Sequence, residues 1–264
     1  MKNLLILQPM PIAAVATSRG SGVANLLTPD PREVWMDTAT GAVTLDLDLG
    51  QVRTINTIFL GYLQPAAAAA TWTITGGTTD YTSVSIASST ALRVPDVAGR
   101  FPALSHALWF GDATTASVRY VRLTVAQPAG SPALSAGVLM VGRSFTPSWG
   151  HEWGSGRRAI DTGSVTSLPD GGFAVVEGVR KSSWAWTLGD LTDDEVDTLF
   201  EISLDRGESR PLLVVEDPDR TAGLRRRVHY GIFRQAREYE RASKGRTRWE
   251  LRIEDWGADE AAAF

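Results

Sequence analysis

His106, His151 and His229 are the histidines of this sequence, and it contains no cysteine. The three stand far apart and form no His-x-His, His-Glu-x-x-His or His-x-x-x-His pattern, so their spacing builds neither a zinc site nor a triad. Ordinary surface or part-buried polar residues are the plainer reading. Without cysteine there is no disulfide framework, thiolate metal site or cysteine nucleophile. A Gly-x-Ser-x-Gly elbow is absent. Arg19-Gly-Ser-Gly22 follows no clear strand and lacks the Gly-Lys-Ser/Thr of a phosphate loop, which makes it a turn. Asp193, Asp194, Glu195 and Asp197 invite a metal or general-acid reading, but the first three stand where a helix N-terminus favours carboxylates. Asp46 and Asp48 share a strand face, as paired glycosidase carboxylates would, yet solvent is the simpler neighbour for a face opposite four aliphatics. No enzyme activity and no cofactor are expected.

The cations and aromatics suggest contacts instead. Arg225, Arg226 and Arg227 could touch phosphate. Glu216, Asp217, Asp219, Glu238 and Glu240 surround the run in sequence, so salt bridges across strands or between subunits fit better. Of the 26 basic residues 23 are arginine, the cation that pairs carboxylates in a plane and concentrates at interfaces. A net charge of −4 argues against nucleic acid as a partner. Trp109-Phe110, Trp149 and Trp153 are candidate exposed anchors. The core is nonetheless the commoner place for most tryptophans.

The elements that must position these groups differ along the chain. Residues 1–142 hold 16 charged residues and residues 143–264 hold 40, on either side of a norm of roughly one in four. Two domains are expected, divided at Gly142. In the first, Val43, Leu45, Leu47 and Leu49 alternate with Thr44, Asp46 and Asp48, a strand with one buried face. Further strands are read at Ile55–Leu60, from Trp72 to the Gly76-Gly77 stop, at Tyr120–Val125 and at Val138–Val141. Ala66–Ala70, after Pro65, reads as a loop or single turn. Short strands punctuated by Gly, Pro, Asp and Thr indicate a β-sandwich or jelly roll. Pro9 and Pro11 interrupt the apolar stretch near the start, which argues against a signal peptide. No apolar run reaches the roughly 18 residues of a membrane span, so no membrane insertion is expected.

In the second domain Phe145–Ile160 is strand-like, and Pro169-Asp-Gly-Gly172 predicts a hairpin turn between flanking strands. Trp184 and Trp186 share a parity and hence a face. Thr192 with Glu195 makes a capping box, with Leu191 and Val196 as its staple, opening a helix over about 192–206 that Gly207 can end. Val196, Leu199, Phe200 and Leu204 follow helical spacing. Strands at Pro211–Val215, Val228–Phe233 and Thr247–Ile253 complete a β-rich domain with one packed helix.

Ala24-Asn-Leu-Leu27, Val34-Trp35, Leu45-Asp-Leu-Asp-Leu-Gly50, Trp72-Thr-Ile74 and Arg119-Tyr-Val-Arg-Leu123, in that order, resemble a discoidin-type, galactose-binding-like jelly roll over about residues 10–142. The resemblance implies ligand loops at one end, here the loops around Trp35, Trp109 and Gly76-Gly77, with host surface carbohydrate as the ligand. It also makes Asp30 and Asp37 the nearest residues to a calcium loop, although no dense acidic cluster accompanies them. From Trp184-Ala-Trp-Thr-Leu188, the Leu191–Phe200 helix and Arg210-Pro-Leu-Leu-Val-Val215, the second half resembles the ring-forming β-domains of distal-tail and tail-tip proteins of long-tailed phages. That resemblance implies a non-enzymatic structural component of a phage-like tail, located in the virion. Its partners would be copies of itself, in a ring or trimer, and other tail proteins. Trp149, Trp153 and Arg225–Arg227 are the expected subunit contacts.

Overall fold

The computed structural model describes residues 4–64, 67, 69–92, 105–111, 115–219, 227–234, 238–243 and 245–257. The protein is mainly β, with one α-helix among the described residues. It divides into two compact units, Met1–Thr146 with Leu212–Val228, and Pro147–Pro211 with His229–Phe264.

The first unit is an antiparallel two-sheet sandwich of jelly-roll type. Alternation in β4 (Ala42–Ile55) buries Val43, Leu45, Leu47 and Leu49 and turns Thr44, Asp46 and Asp48 outward, as their spacing predicts. Strands β9 (Ala116–Ala126) and β6 (Thr71–Gly77) repeat the pattern. With β2 (Ala14–Thr17) and β7 (Val84–Ala91) they form a five-stranded sheet of order β2-β4-β9-β6-β7. The facing sheet runs β16 (Leu212–Glu216), β1 (Leu4–Pro9), β11 (Val138–Phe145), β5 (Thr57–Leu63), β8 (Ser105–Phe110). Side chains of both sheets share one core, from Leu45, Trp72 and Leu123 on one side to Ile58, Leu60 and Val141 on the other. A small pair, β3 (Trp35–Met36) with β10 (Ser135–Ala136), packs Trp35 into it.

Three sequence expectations change here. The run Ile55–Leu60 is two strands, because Asn56 is buried and its Oδ1 accepts the Ser144 N–H at 2.8 Å. Strand β11 continues past Gly142 to Phe145, since Ile6 to Pro9 pair with Phe145 to Gly142. Gly142 itself is where β1 crosses closely, as a Cβ there would stand 2.4 Å from the Gln8 carbonyl oxygen. Finally, β16 comes from beyond the expected boundary and pairs with β1, Leu7 opposite Leu213 and Leu4 opposite Glu216. Leu4–Leu7 and Leu212–Val215 are buried without alternation, the signature of strands covered on both faces.

In the second unit β12 (Gly156–Asp161), β15 (Arg180–Leu191), β19 (Arg246–Asp255) and β17 (Val228–Phe233) lie in that order, with β18 (Glu240–Ser243) also on β19. Only the end of the strand expected at Phe145–Ile160 survives as β12; residues 146–155 form a loop holding Trp149 and Trp153. Trp184 and Trp186 do share the buried face of β15, their rings stacked at 4.5 Å. Helix α1 (Asp193–Arg206) begins at the expected capping box. Thr192 Oγ1 accepts the Glu195 N–H, and the Glu195 carboxylate accepts the Thr192 N–H at 2.9 Å. Its buried face is Val196, Leu199 and Ile202, whereas Phe200 and Leu204 are exposed. Phe200 instead meets the edge of Tyr239, which in turn meets Trp249 of β19. The Pro169–Gly172 turn joins β13 (Ser164–Ser167) to β14 (Phe173–Val176), with Asp170 accepting the Gly172 N–H.

Candidate functional site

The outer face of the five-stranded sheet carries a cluster of polar and aromatic side chains. Register makes it. Asp46 lies opposite Arg122, which lies opposite Thr75; Asp48 lies opposite Tyr120, which lies opposite Gly77. A register shift between β4 and β9 follows at Asp48, and Arg119 reaches back to that carboxylate. Both arginines grip an aspartate with two parallel bonds, Arg119 to Asp48 at 2.9 and 2.9 Å and Arg122 to Asp46 at 2.6 and 2.6 Å. This planar fork is what arginine provides and lysine does not. The Arg119 bond, with the Gly50 N–H behind it, holds the Asp48 carboxyl below the usual carboxylate range.

Two tyrosines complete the cluster. The guanidinium of Arg119 stands 4.8 Å from the centre of the Tyr120 ring, that of Arg122 stands 5.1 Å from Tyr81, and the two rings are 5.1 Å apart. Tyr81 comes from the β6–β7 hairpin, whose shape is set locally. Thr75 Oγ1 donates to the Tyr81 carbonyl at 2.7 Å. The Ser83 hydroxyl and the N–H groups of Thr82 and Ser83 all donate to Asp80, lowering its carboxyl to about 2. Gly77 lets the turn fold back, since a Cβ there would meet the Asp80 carbonyl oxygen at 2.6 Å. Burial, then the charges of Asp46 and Asp48, push the Tyr81 phenol up, so it remains a hydrogen-bond donor at neutral pH. The surface thus offers aromatic carbon, two carboxylates with unused lone pairs, a phenol donor and two guanidinium planes.

Of the residues singled out in sequence, Gly76 and Gly77 belong to this surface, through the hairpin that bears Tyr81. Trp35 does not. It is fully buried in the core, so it is not a loop reader. Trp109 and Phe110 sit on β8 in the opposite sheet, half-buried, with Trp109 packed against the core. The loops around Trp35, Trp109 and Gly76-Gly77 therefore lie on separate elements. Asp30 is held by Arg32, and Asp37 by Arg19 at 2.6 and 2.9 Å, so neither calcium candidate is uncommitted. Burial pushes the Asp37 carboxyl up, but the Arg19 bond and the N–H groups of Ala39 and Thr38 outweigh it and leave it lowered.

In the second unit Trp149 and Trp153 are open to solvent, at 71% and 103% of full exposure. Arg227, in the first unit, is committed within the chain to Glu216 at 2.7 Å and Asp217 at 2.8 Å rather than free for a second subunit. Arg225 and Arg226 lie outside the described residues. The histidines stay apart on β8, the 146–155 loop and β17. His229 is buried between Trp184, stacked at 5.2 Å, and Asp255, whose carboxylate meets Nδ1 at 2.9 Å. No group of three metal-ligating side chains occurs among the described residues. Asp193, Asp194 and Glu195 form the first turn of α1, as the capping argument requires. Tyr81 carries no motif of its own, and Tyr120 is legible in sequence only as part of a strand. The signal was Arg119-Tyr-Val-Arg122 beside Asp46 and Asp48, but only the register tells which groups meet.

No family model and no curated protein matches this chain. Solved structures similar to it include a CBM32 domain of AlyQ in complex with 4,5-unsaturated mannuronic acid. That domain is 20% identical over 51% of this chain and 98% of its own, with a TM-score of 0.34. Chitosan-binding module 2 of a chitosanase/glucanase from Paenibacillus sp. IK-5, in complex with chitotriose, is 18% identical over 49% of this chain and 95% of its own, with a TM-score of 0.33. XRCC1 bound to the DNA pol beta catalytic domain is 14% identical over 52% of this chain and 99% of its own, with a TM-score of 0.36. Two of these are complexes with sugars and the third is a complex with a protein, and a fold by itself does not choose between them.

Proposed function

We propose that this chain is a non-enzymatic binding protein whose first unit recognises carbohydrate on the outer face of its five-stranded sheet. The observation that supports this is the Tyr81–Tyr120 pair flanked by Arg119–Asp48 and Arg122–Asp46. A pyranose presents an apolar C–H face and a rim of hydroxyl groups. Tyrosine rings take the first, and oriented carboxylate, guanidinium and phenol groups take the second. The cross-strand ion pairs hold these groups in place before a ligand arrives, which lowers the ordering cost of a weak ligand. The test is a glycan array with the full-length protein, followed by calorimetry on any hit. Tyr120→Ala is expected to abolish binding while leaving the circular dichroism spectrum intact. An array blank above background, with the protein folded, would refute the reading.

A second reading is favoured by a different observation. Trp149 and Trp153 stand exposed on the second unit, together with the apolar residues Val165, Phe173, Val175 and Val176 of the β13–β14 hairpin. Large apolar side chains left in water in this number favour a contact with something else. Taken with the likeness of Trp184–Leu188, the Leu191–Phe200 helix and Arg210–Val215 to tail-tip β-domains, this supports reading the protein as a structural component of a phage-like tail, in the virion, assembling with copies of itself and with other tail proteins. Mass measurement of the purified protein alone and with tail components tests it. A strict monomer that joins no particle would exclude it.

A further inference from the structure

The β13–β14 hairpin continues the β12–β15 ladder beyond the end of its sheet. That ladder closes with Asp161 opposite Arg180. Next, the Thr162 N–H donates to the Val179 carbonyl at 3.1 Å and the Val179 N–H to Thr162 Oγ1 at 2.8 Å. Gly163 and Gly178 form a waist so tight that a Cβ on Gly178 would stand 2.0 Å from the Gly163 nitrogen. Beyond the waist every residue of β13 and β14 is exposed. Val165 nevertheless opposes Val175, and Phe173 follows on the same face. A two-stranded ribbon with an apolar face is marginal in water without something to cover it. The charged residues of the arm, 162–179, are Asp170 and Glu177, both acidic.

At the base of the same hairpin is a groove of about 470 Å³ with the complementary character. Its apolar lining includes Ile160 and Ala185, and its cations are Arg157, Arg158, Arg234 and Arg252. The carboxylate among them, Glu254, already holds Lys181 and Arg234. Four cations and one carboxylate thus line the groove, and Arg158 is exposed. No residue of the arm lines it, so the chain's own arm leaves it open.

We propose that the arm of one copy docks in the basic groove of a second copy, with Val165, Val175 and Phe173 covering Ile160 and Ala185 and with Asp170 and Glu177 meeting the arginines. Arm and groove are different surfaces, so the contact runs head to tail. It closes a ring where the rotation allows and otherwise builds a filament. This rests on the assembly reading above and names its contact.

Sedimentation equilibrium of the full chain tests it, using wild type, the Phe173→Asp/Val175→Asp double variant, Arg158→Glu, and Arg158→Glu combined with Glu177→Arg. Wild type is expected to associate, more weakly as salt rises. The arm variant is expected to weaken association by roughly tenfold or more, as loss of a central apolar anchor does. Arg158→Glu is expected to weaken it too, and the exchanged pair to restore it. All substituted positions are exposed, and retention of the near-ultraviolet signal of the buried Trp184–Trp186 pair confirms folding. Association unaltered by both the arm and the groove variants overturns this contact while leaving self-assembly standing. A monomer at every concentration overturns both. A monomer that cosediments with phosphatidylcholine–phosphatidylglycerol vesicles through Phe173 and Val175 assigns the arm to lipid and overturns the proposal.

Discussion

Leu213→Ala should unsettle the first unit, although residue 213 lies seventy residues beyond the point where charge density divides the sequence. Leu213 is fully buried in β16 and stands in register opposite Leu7 of β1. The change removes three carbon atoms, worth about 0.8 kcal/mol each on transfer from water, or roughly 2.4 kcal/mol. Strands on a crowded sheet cannot collapse fully around the gap, and the residual cavity raises the total to about 3–4 kcal/mol. Against a domain stability of about 5–15 kcal/mol this is a large fraction. Two units make a single global melting curve ambiguous, so the assay is hydrogen exchange read by mass spectrometry, peptide by peptide. Protection should fall in peptides covering β1 and β11, the strands that follow β16 in its sheet. Leu204→Ala, at a position 70% exposed on α1, is the matched control and should change stability by no more than about 0.5 kcal/mol. If Leu213→Ala costs less than about 1 kcal/mol, or leaves β1 and β11 as protected as before, β16 does not stabilise the first unit's sheet and the reasoning fails.

Three further outcomes are expected. Thr192→Ala removes the side-chain half of the α1 capping box and should cost about 1 kcal/mol, seen as a drop in the denaturation midpoint with an unchanged slope. A double-mutant cycle of Asp46→Ala and Arg122→Ala should return a coupling of about 0.5–1 kcal/mol, at the upper end for a half-exposed pair because the contact is bidentate; zero coupling would mean the pair is ornamental. The folded Asp37 carboxyl is lowered, so its contribution is present above the unfolded value near 3.8 and is lost as pH falls through the lower folded one. Asp37→Asn should therefore destabilise at neutral pH and flatten the acid limb of stability against pH, and an acid limb identical to wild type would contradict this.

Period and punctuation made much of the fold legible. The Val43–Leu49 alternation gave β4 and its outward aspartates, Pro169–Gly172 gave a hairpin, and Thr192 with Glu195 gave the start of α1. These signals are local, arising from backbone geometry and the nearest few side chains. Leu4–Leu7 carried no alternation to read, because all four side chains of this stretch of β1 are buried, so both faces are apolar. On α1, Phe200 and Leu204 share the helical spacing of Val196 and Leu199 yet are exposed. Helical spacing names a stripe, but which edge of the stripe is buried depends on what packs there, and here Ile202 took the place. The candidate site was half legible. Asp46 and Asp48 were seen as one face, but their partners arrive some seventy residues later.

What the sequence determined alone was the class: a mainly β protein, short strands set by turn residues, one capped helix, and charge concentrated in the second half. Those properties follow from local sterics and composition, which act wherever the chain goes. The tertiary structure decided which charges neutralise each other, since Arg227 spends itself on Glu216 and Asp217 while Arg158 faces a groove. It decided that Trp35 is core and Trp153 is surface. It also carried β16 back beside β1. Burial and register depend on contacts between residues far apart in the chain, and no local pattern encodes them.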